Sequence, residues 1–548
     1  MSDELVRTYE QIIDTGFQSL PIFTLPVEDA AYGVLHAFDS HIMTEWAVRQ
    51  HSEDGSFSLA QAQLFKFLGE GLILAMRWLL GDRDRVDVRP TASIRQAELG
   101  NELIQYGADY FRASMLYSAY SQGRMDAVVQ PDERRVRFSY KPEAVHPQGT
   151  WGYAEEASRE MLKNTPARRK QIQRLQSEAA AVFRSVPHRL QDGRVVLEDV
   201  SPLLDERVRR AVGPGLIRRR ILPPTSDLGG FLAGQFDAFW QALFTWSVCA
   251  TEIYHYSCEH LSVPQEEAMP TQVVSRDDFV RSMAALSGLS FPTVEAILCR
   301  LTFDRRTGKP DMYLQPFVCG PSQVAWSVRA VQLSVAQRNL LKLMARTPSH
   351  KALADNLVGG RERNIVDALA KRLDGKGWTI ARFRCFPGQE DGEVDLVGWN
   401  WTYPTEVLVV EVKSTLQADE PNEVRSATRE MKHAQDQLDR TLRVVSALPE
   451  TIRKKWLPSI DWSKVVRWYG VVVTPESEPG LDFDHSRFPA CSLASLQARL
   501  TDNDWRSPSK VWGAMVSRSW QADIRAGRTE FEPFDLAGIT FEDPIIVY

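Results

Sequence analysis

Along residues 1–125 apolar side chains recur mainly at three- and four-residue steps, which predicts helices. Leu64, Phe67, Leu68, Leu72, Ala75, Met76 and Leu79 form one such apolar face, and a second helical run covers Ser93 to Gln122. Between Val128 and Tyr140 two short β-like runs flank Pro131-Asp132-Glu133, which predicts a hairpin. Residues 152–187 return to a helical pattern, now basic, and Pro223-Pro224 breaks the chain. From Asp227 to His260 the pattern is aromatic on too many sides to be exposed, so it reads as a core helix, single or kinked.

Ser275 is a candidate N-cap, with Asp277 and Asp278 in the first helical turn. Met283 to Leu301 then carries Ala285, a turn glycine at Gly288, an N-capping Ser290 and Thr293-Val294 opening the next helix. This resembles the helix-turn-helix of bacterial repressors, with Leu286, Leu289, Val294 and Leu298 packing the two helices together. Met312–Cys319 and Gln323–Val328 follow as β-like runs, as in a winged helix. A helix that reads DNA needs polar or basic side chains on its exposed face. That face offers only Glu295 and Arg300, so a structural helical hairpin is the stronger reading.

From Pro348 to Arg363 the chain crosses into a segment with a different rhythm. A helix over Glu362–Leu373 ends at Gly375-Lys376-Gly377. Aliphatic runs follow at Thr379–Phe386, Gly392–Val397 and Val407–Ser414. A polar helix covers Asn422–Leu448, then a strand, Trp468–Thr474, and a helix, Ser492–Leu500. The order is α-β-β-β-α-β around a buried sheet.

With 548 residues, three or four domains are expected. The divisions drawn are 1–150, helical with a small hairpin; 151–265, basic helical with the aromatic core helix; 266–350, helix-turn-helix or winged-helix-like; 351–505, α/β; and 506–548, a C-terminal extension. The fold class is multi-domain, mostly α-helical first and mixed-sheet α/β last. The formal net charge of −6 argues against a nucleic-acid partner only if charge is evenly spread, and it is not. Residues 1–60 hold ten acids to two bases, while 159–220 hold fifteen bases to seven acids, including Arg168-Arg169-Lys170, Arg207-Val208-Arg209-Arg210 and Arg218-Arg219-Arg220. That stretch is either a phosphate-binding surface or, more often for such runs, a solvated or internally paired one.

Six cysteines without a CxxC pair fit a reducing cytoplasm. The densest uncharged apolar stretch, Ala238–Thr251, has 14 residues against the about 20 of a membrane span, and the opening MSDELVRTYE lacks the basic-then-apolar pattern of a signal segment. His255, Cys258 and His260 read as a packed cluster rather than a metal site.

The chemistry gathers in the α/β segment. Side chains alternate on a strand, so Glu411 and Lys413 share one face, as do Glu393 and Asp395 on the preceding strand. If the strands pair, three carboxylates and an ammonium converge. Carboxylates that close repel unless a cation lies between them, and hard oxygen donors suit Mg²⁺ or Mn²⁺. Asp374-Gly375-Lys376 and Glu430-Met431-Lys432 repeat the D/E-x-K text, but one sits in a glycine-rich turn and the other in a helix.

Gly392-Glu393-Val394-Asp395-Leu396-Val397, followed by Val409-Val410-Glu411-Val412-Lys413-Ser414, resembles the PD-(D/E)xK (restriction-endonuclease-like) nuclease superfamily. The text is especially similar to its Holliday-junction-resolvase-like and Mrr-like members. The likeness covers about 115 of the 548 residues, and Val394 stands where the family's title motif has proline. It implies a metal-dependent DNA endonuclease. Asp395, Glu411 and the Val412 carbonyl would hold Mg²⁺ or Mn²⁺, and Lys413 would position or deprotonate the attacking water. Glu393 and Glu362 would be further acidic ligands, and Gln435 or Gln437 would orient the lysine or substrate.

Arg361–Phe386 holds seven bases and three acids, and Lys376, Arg382 and Arg384 are assigned to nucleic acid. Catalytically inert DNA binding and RNA cleavage are the alternatives. Many members pair two sites in a dimer, and a nuclease behind a large helical region would suit bacterial defence or DNA processing by analogy.

Overall fold

The computed structural model describes residues 2–547 except 51–58, 82, 84, 91–93, 142–165, 192–193, 218–220, 261–268, 305–309, 386–392, 417–420, 457, 459, 476–482 and 518–527. The chain divides into two compact units. One comprises Met1–Pro142, Asn164–Ala354 and Phe531–Pro544; the other is chiefly Asp355–Glu530. The five segments expected from the sequence therefore regroup as two. Part of the 266–350 segment shares its core with the helices before it: Val273, Phe303, Met312, Val318 and Ala325 pack into the same cluster as Leu35, Phe38, Leu72 and Met76.

The first unit opens with helices α1 (Ser2–Gly16), α2 (Val27–Gln50), α3 (Leu59–Leu80) and α4 (Ile94–Ser121). Glycines let α4 approach its neighbours backbone to backbone. A Cβ on Gly100 would meet the Gly33 carbonyl oxygen at 2.3 Å, and one on Gly71 would meet that of Ile104 at 2.2 Å. The expected hairpin is present as β1 (Met125–Gln130) and β2 (Arg135–Tyr140), antiparallel.

Next come α5 (Pro166–Ser185), β3 (His188–Gln191), β4 (Arg194–Leu197), α6 (Glu206–Ile217) and α7 (Ala233–His260). The aromatic helix is single and starts six residues later than Asp227, because Gly229 and Gly230 take φ of +75° and +119°, which no helix accepts. Within the basic stretch, Arg174, Arg184, Arg189, Arg207, Arg209 and Arg210 each pair with a glutamate or aspartate. Arg218-Arg219-Arg220 lies outside the described residues.

The unit continues with β5 (Gln272–Ser275), α8 (Arg276–Ser287), α9 (Phe291–Leu301), β6 (Phe317–Cys319), β7 (Gln323–Trp326), α10 (Val328–Leu333) and α11 (Ala336–Arg346). Ser275 and Ser290 cap α8 and α9 through the N–H groups of Asp278 and Thr293, and Gly288 takes φ +70° between them. The two helices bend by 113°. The strands form an antiparallel sheet of order β5-β7-β6. The run expected from Met312 shortens to three residues, since Asp311 holds Met312–Gln315 in a turn through the N–H groups of Tyr313 and Leu314. On α9, Glu295 accepts from Arg276 at 2.6 Å, and Arg300 donates to the Leu228 and Gly229 carbonyls.

The second unit is built from α12 (Lys351–Asp374), β8 (Trp378–Cys385), β9 (Glu393–Asn400), β10 (Glu406–Val412), α13 (Pro421–Ala447), α14 (Glu450–Trp456), β11 (Arg467–Thr474), β12 (Ala490–Ser492), α15 (Leu493–Arg499) and α16 (Pro508–Ser517). Its mixed sheet has the order β12-β11-β10-β9-β8. Strand β10 runs antiparallel to β9 and parallel to β11. Leu408, Val410 and Val412 pack with Ile365, Val366 and Leu369 of α12, whereas Val407 and Val409 pack with Ala427, Met431, Ala434 and Leu438 of α13. This two-sided burial is why β10 reads as an unbroken aliphatic run.

The expected C-terminal extension is split. Val511 and Met515 of α16 belong to the second unit's core. The last strands, β13 (Arg528–Leu536) and β14 (Ile539–Val547), complete a first-unit sheet of order β1-β2-β14-β13. Among the described residues no single helix is long and apolar enough to cross a membrane.

Candidate functional site

The alternation along β10 directs Val407 and Val409 toward α13, and Glu411 and Lys413 continue that row. Glu411 is buried, and Lys413 Nζ lies 2.9 Å from its Oε1. The Lys413 N–H donates to the Val473 carbonyl, which holds the end of β10 to β11. Asp395 of β9 accepts the Val412 N–H at 2.6 Å. Glu362 of α12 accepts the Ser414 N–H at 3.3 Å, and the Ser414 hydroxyl donates to the Val358 carbonyl. Asp395, Glu411, Lys413 and Glu362 therefore meet at one end of β10.

The electrostatics follow from that crowding. Burial first, then the charge of Asp395, pushes the Glu411 carboxyl up to about 7; Lys413 pulls it down and Glu362 adds to the rise. Burial works against the Lys413 ammonium, but Glu411, Glu362 and Asp395 outweigh it, so its pKa rises above the ordinary lysine value. Three carboxylates facing one ammonium leave negative charge uncompensated.

Other residues singled out in the sequence fall elsewhere. Gln435 is buried and donates to the Asp484 and Phe488 carbonyls, so it ties α13 to a loop instead of orienting Lys413. Gln437, with Lys413, Glu430, His433, Asp436 and Arg440, lines an open cleft of about 420 Å³. Lys376 ion-pairs with Asp502 at 2.8 Å. It precedes Trp378, which pairs with Asn400, whereas Cys385 pairs with Glu393. Lys376 thus sits at the opposite end of the sheet from Glu411, about 25 Å away at the usual rise per residue.

Arg382 is exposed and ion-paired with Asp367 of α12. The backbones of Arg384 and Glu393 pair with Val394 and Cys385 respectively, while their side chains lie outside the described ones. In the first unit, the His255 ring lies tilted against Tyr254, and that of His260 against Tyr256, which fits an aromatic packing cluster.

Among the described residues no three His, Cys, Asp or Glu side chains are arranged to hold a metal ion. The donor chemistry nonetheless suits one. Asp395 and Glu411 are hard oxygen donors where negative charge is in excess, and Mg²⁺ typically takes only one or two carboxylates and keeps several waters. No protein-family model matches the chain, and no curated protein or solved structure matches it.

Proposed function

We propose that the protein is a Mg²⁺- or Mn²⁺-dependent nuclease that hydrolyses phosphodiester bonds of DNA. The observation that carries this reading is the meeting of Asp395, Glu411 and Lys413 at the end of a buried strand, with charge left uncompensated. The order α12-β8-β9-β10-α13-β11, and the mixed pairing of β10, support a restriction-endonuclease-like core. In the first unit, α8, α9 and the β5-β7-β6 sheet support a winged-helix-like module. With Glu295 and Arg300 bonded inward, that module is better suited to structure than to reading base edges.

Asp395 and Glu411, with the Val412 carbonyl, would hold the cation, and Glu362 and Glu393 would lie in its outer surroundings. Such an ion supplies an acidified water and neutralises charge on the phosphate. The chain's own contribution is positional and electrostatic. The Val412 N–H fixes Asp395, burial keeps bulk water from Glu411, and Lys413 stays protonated because three acids surround it. A protonated lysine would donate to the phosphate or the water and offset charge on the phosphorane. A dimer would place two such sites on opposite strands.

A second reading, an inert nuclease fold that only binds nucleic acid, is favoured by one observation: the Asp395 carboxylate already accepts a backbone N–H. Cleavage of a plasmid and an oligonucleotide panel, DNA and RNA, by wild type and Lys413→Ala with and without Mn²⁺ separates the two. Metal-dependent cutting that falls by about 100-fold or more in the variant is expected. Equal rates in both proteins would refute the catalytic assignment, and absence of cutting with retained, salt-sensitive DNA binding would establish the inert reading.

A further inference from the structure

The cleft beside Lys413 differs in chemistry from a groove that tracks phosphates. Glu430, His433, Asp436, Gln437 and Arg440 form one stripe of α13, and Lys413 comes from the strand end. Two of these six side chains are acids, which repel a phosphate backbone. Asp436 accepts from Arg487 at 3.1 Å, and Lys413 is held by Glu411. Among the described residues neither Glu430 nor Arg440 has an ion-pair partner. The cleft thus mixes donors and acceptors with little net charge.

That mixture matches the edge of a nucleobase. A guanidinium offers parallel donors, a glutamine amide offers one donor and one acceptor side, and a carboxylate accepts from an exocyclic amine. His433 and Arg440 add flat faces on which a base can stack. The volume, about 420 Å³, lies in the range of pockets that take up a whole small ligand. We propose that this cleft receives one unstacked nucleobase of the DNA strand whose phosphate lies at Lys413. The inference rests on the nuclease reading and deepens it. It makes the preferred substrate single-stranded, gapped or branched DNA, in which a base is already free, since extracting one from a duplex costs a few kcal/mol.

The test compares strands of equal charge. Fluorescence anisotropy measures binding of the full chain, with Ca²⁺ present, to 20-nucleotide single strands of dA, dC or dT and to a fully abasic strand of the same length. Wild type is expected to prefer at least one base-containing strand to the abasic strand by about 10-fold, the scale of one base stacked on a side chain. In His433→Ala with Gln437→Ala, which alters an exposed helix face and leaves Glu411 and Lys413 in place, the preference should fall to about 2-fold. Equal binding of wild type to all strands overturns the base pocket and leaves the nuclease reading standing. A preference unchanged in the double variant also overturns it, because the base is then read elsewhere. Failure to bind any of these single strands also overturns the base pocket, and the nuclease reading then stands or falls with the plasmid cleavage above.

Discussion

Replacing Glu411 by glutamine removes a charge that the folded site holds at a disadvantage. Burial and Asp395 raise its carboxyl from 4.5 to about 7, against the pull of Lys413. A folded-state pKa above the unfolded one means that the contribution to stability is complete below about pH 4.5 and is lost as pH rises through about 7. One pKa unit corresponds to about 1.4 kcal/mol, so ionised Glu411 disfavours the folded unit by at most about 3 kcal/mol at alkaline pH. Glutamine keeps an acceptor for Lys413 Nζ but leaves that ammonium with only Asp395 and Glu362 as nearby charges, which offsets part of the gain. The net expectation for Glu411→Gln at about pH 8.5 without divalent ions is a stabilisation of about 1–3 kcal/mol, or roughly 2–10 °C in Tm for a unit of this size. Calorimetry of both proteins near pH 5 and pH 8.5 in EDTA reads this directly, with near-identical transitions expected at the lower pH. Cleavage is expected to disappear in the variant, and Mn²⁺ should raise the wild-type Tm alone. A variant less stable than wild type at pH 8.5, or a difference independent of pH, would refute the claim that like-charge crowding defines the site.

Three further outcomes are expected. Asp39, buried in the first unit, accepts from the Thr271 and Ser327 hydroxyls and the Val328 and Arg329 N–H groups. Asp39→Ala should therefore cost about 3–5 kcal/mol in urea denaturation, and a loss below about 1 kcal/mol would show that the network contributes little. Burial lowers the His36 pKa from 6.5 to about 4. Its stabilisation is complete above pH 6.5 and should decline by up to about 3 kcal/mol as pH falls toward 4, a slope that His36→Gln should flatten. Gln435→Ala severs two bonds to loop carbonyls and should cost about 1–3 kcal/mol while leaving the cleavage rate per folded molecule unchanged; a selective loss of rate would return Gln435 to the site.

The second unit was legible because its strands are buried on both faces. Aliphatic runs at Val407–Val412 and Arg467–Thr474 have no competing helical reading when bounded by turn residues. The first unit was less legible because its cohesion is non-local. Nothing near Thr540–Glu542 signals that it pairs with Arg135–Arg137, some 400 residues earlier. The regrouping of segments follows from the same cause: a period along the chain reports which face of an element is apolar, not what covers it. Lys376 illustrates this at shorter range. It is six residues from Arg382 in the chain, but the antiparallel register places it at the far end of the sheet from Glu411.

The two glutamines of α13 mark where sequence reasoning reaches its limit at the site. Residues advance by about 100° along a helix, so Gln435 and Gln437 lie about 160° apart and cannot share a role. Ala427, Met431, Ala434, Leu438 and Val445 define the buried stripe of α13, and the glutamines flank it on opposite sides. Glu430, His433 and Arg440 fall on the flank of Gln437, which the sequence alone reveals once the stripe is drawn. Which flank faces Lys413 depends on how α13 crosses the sheet, and the polar pattern of the helix does not encode that crossing. The chain resolves it by spending Gln435 on the Asp484 and Phe488 carbonyls. That anchors one flank to a loop and leaves the other open beside Lys413, where it lines the cleft.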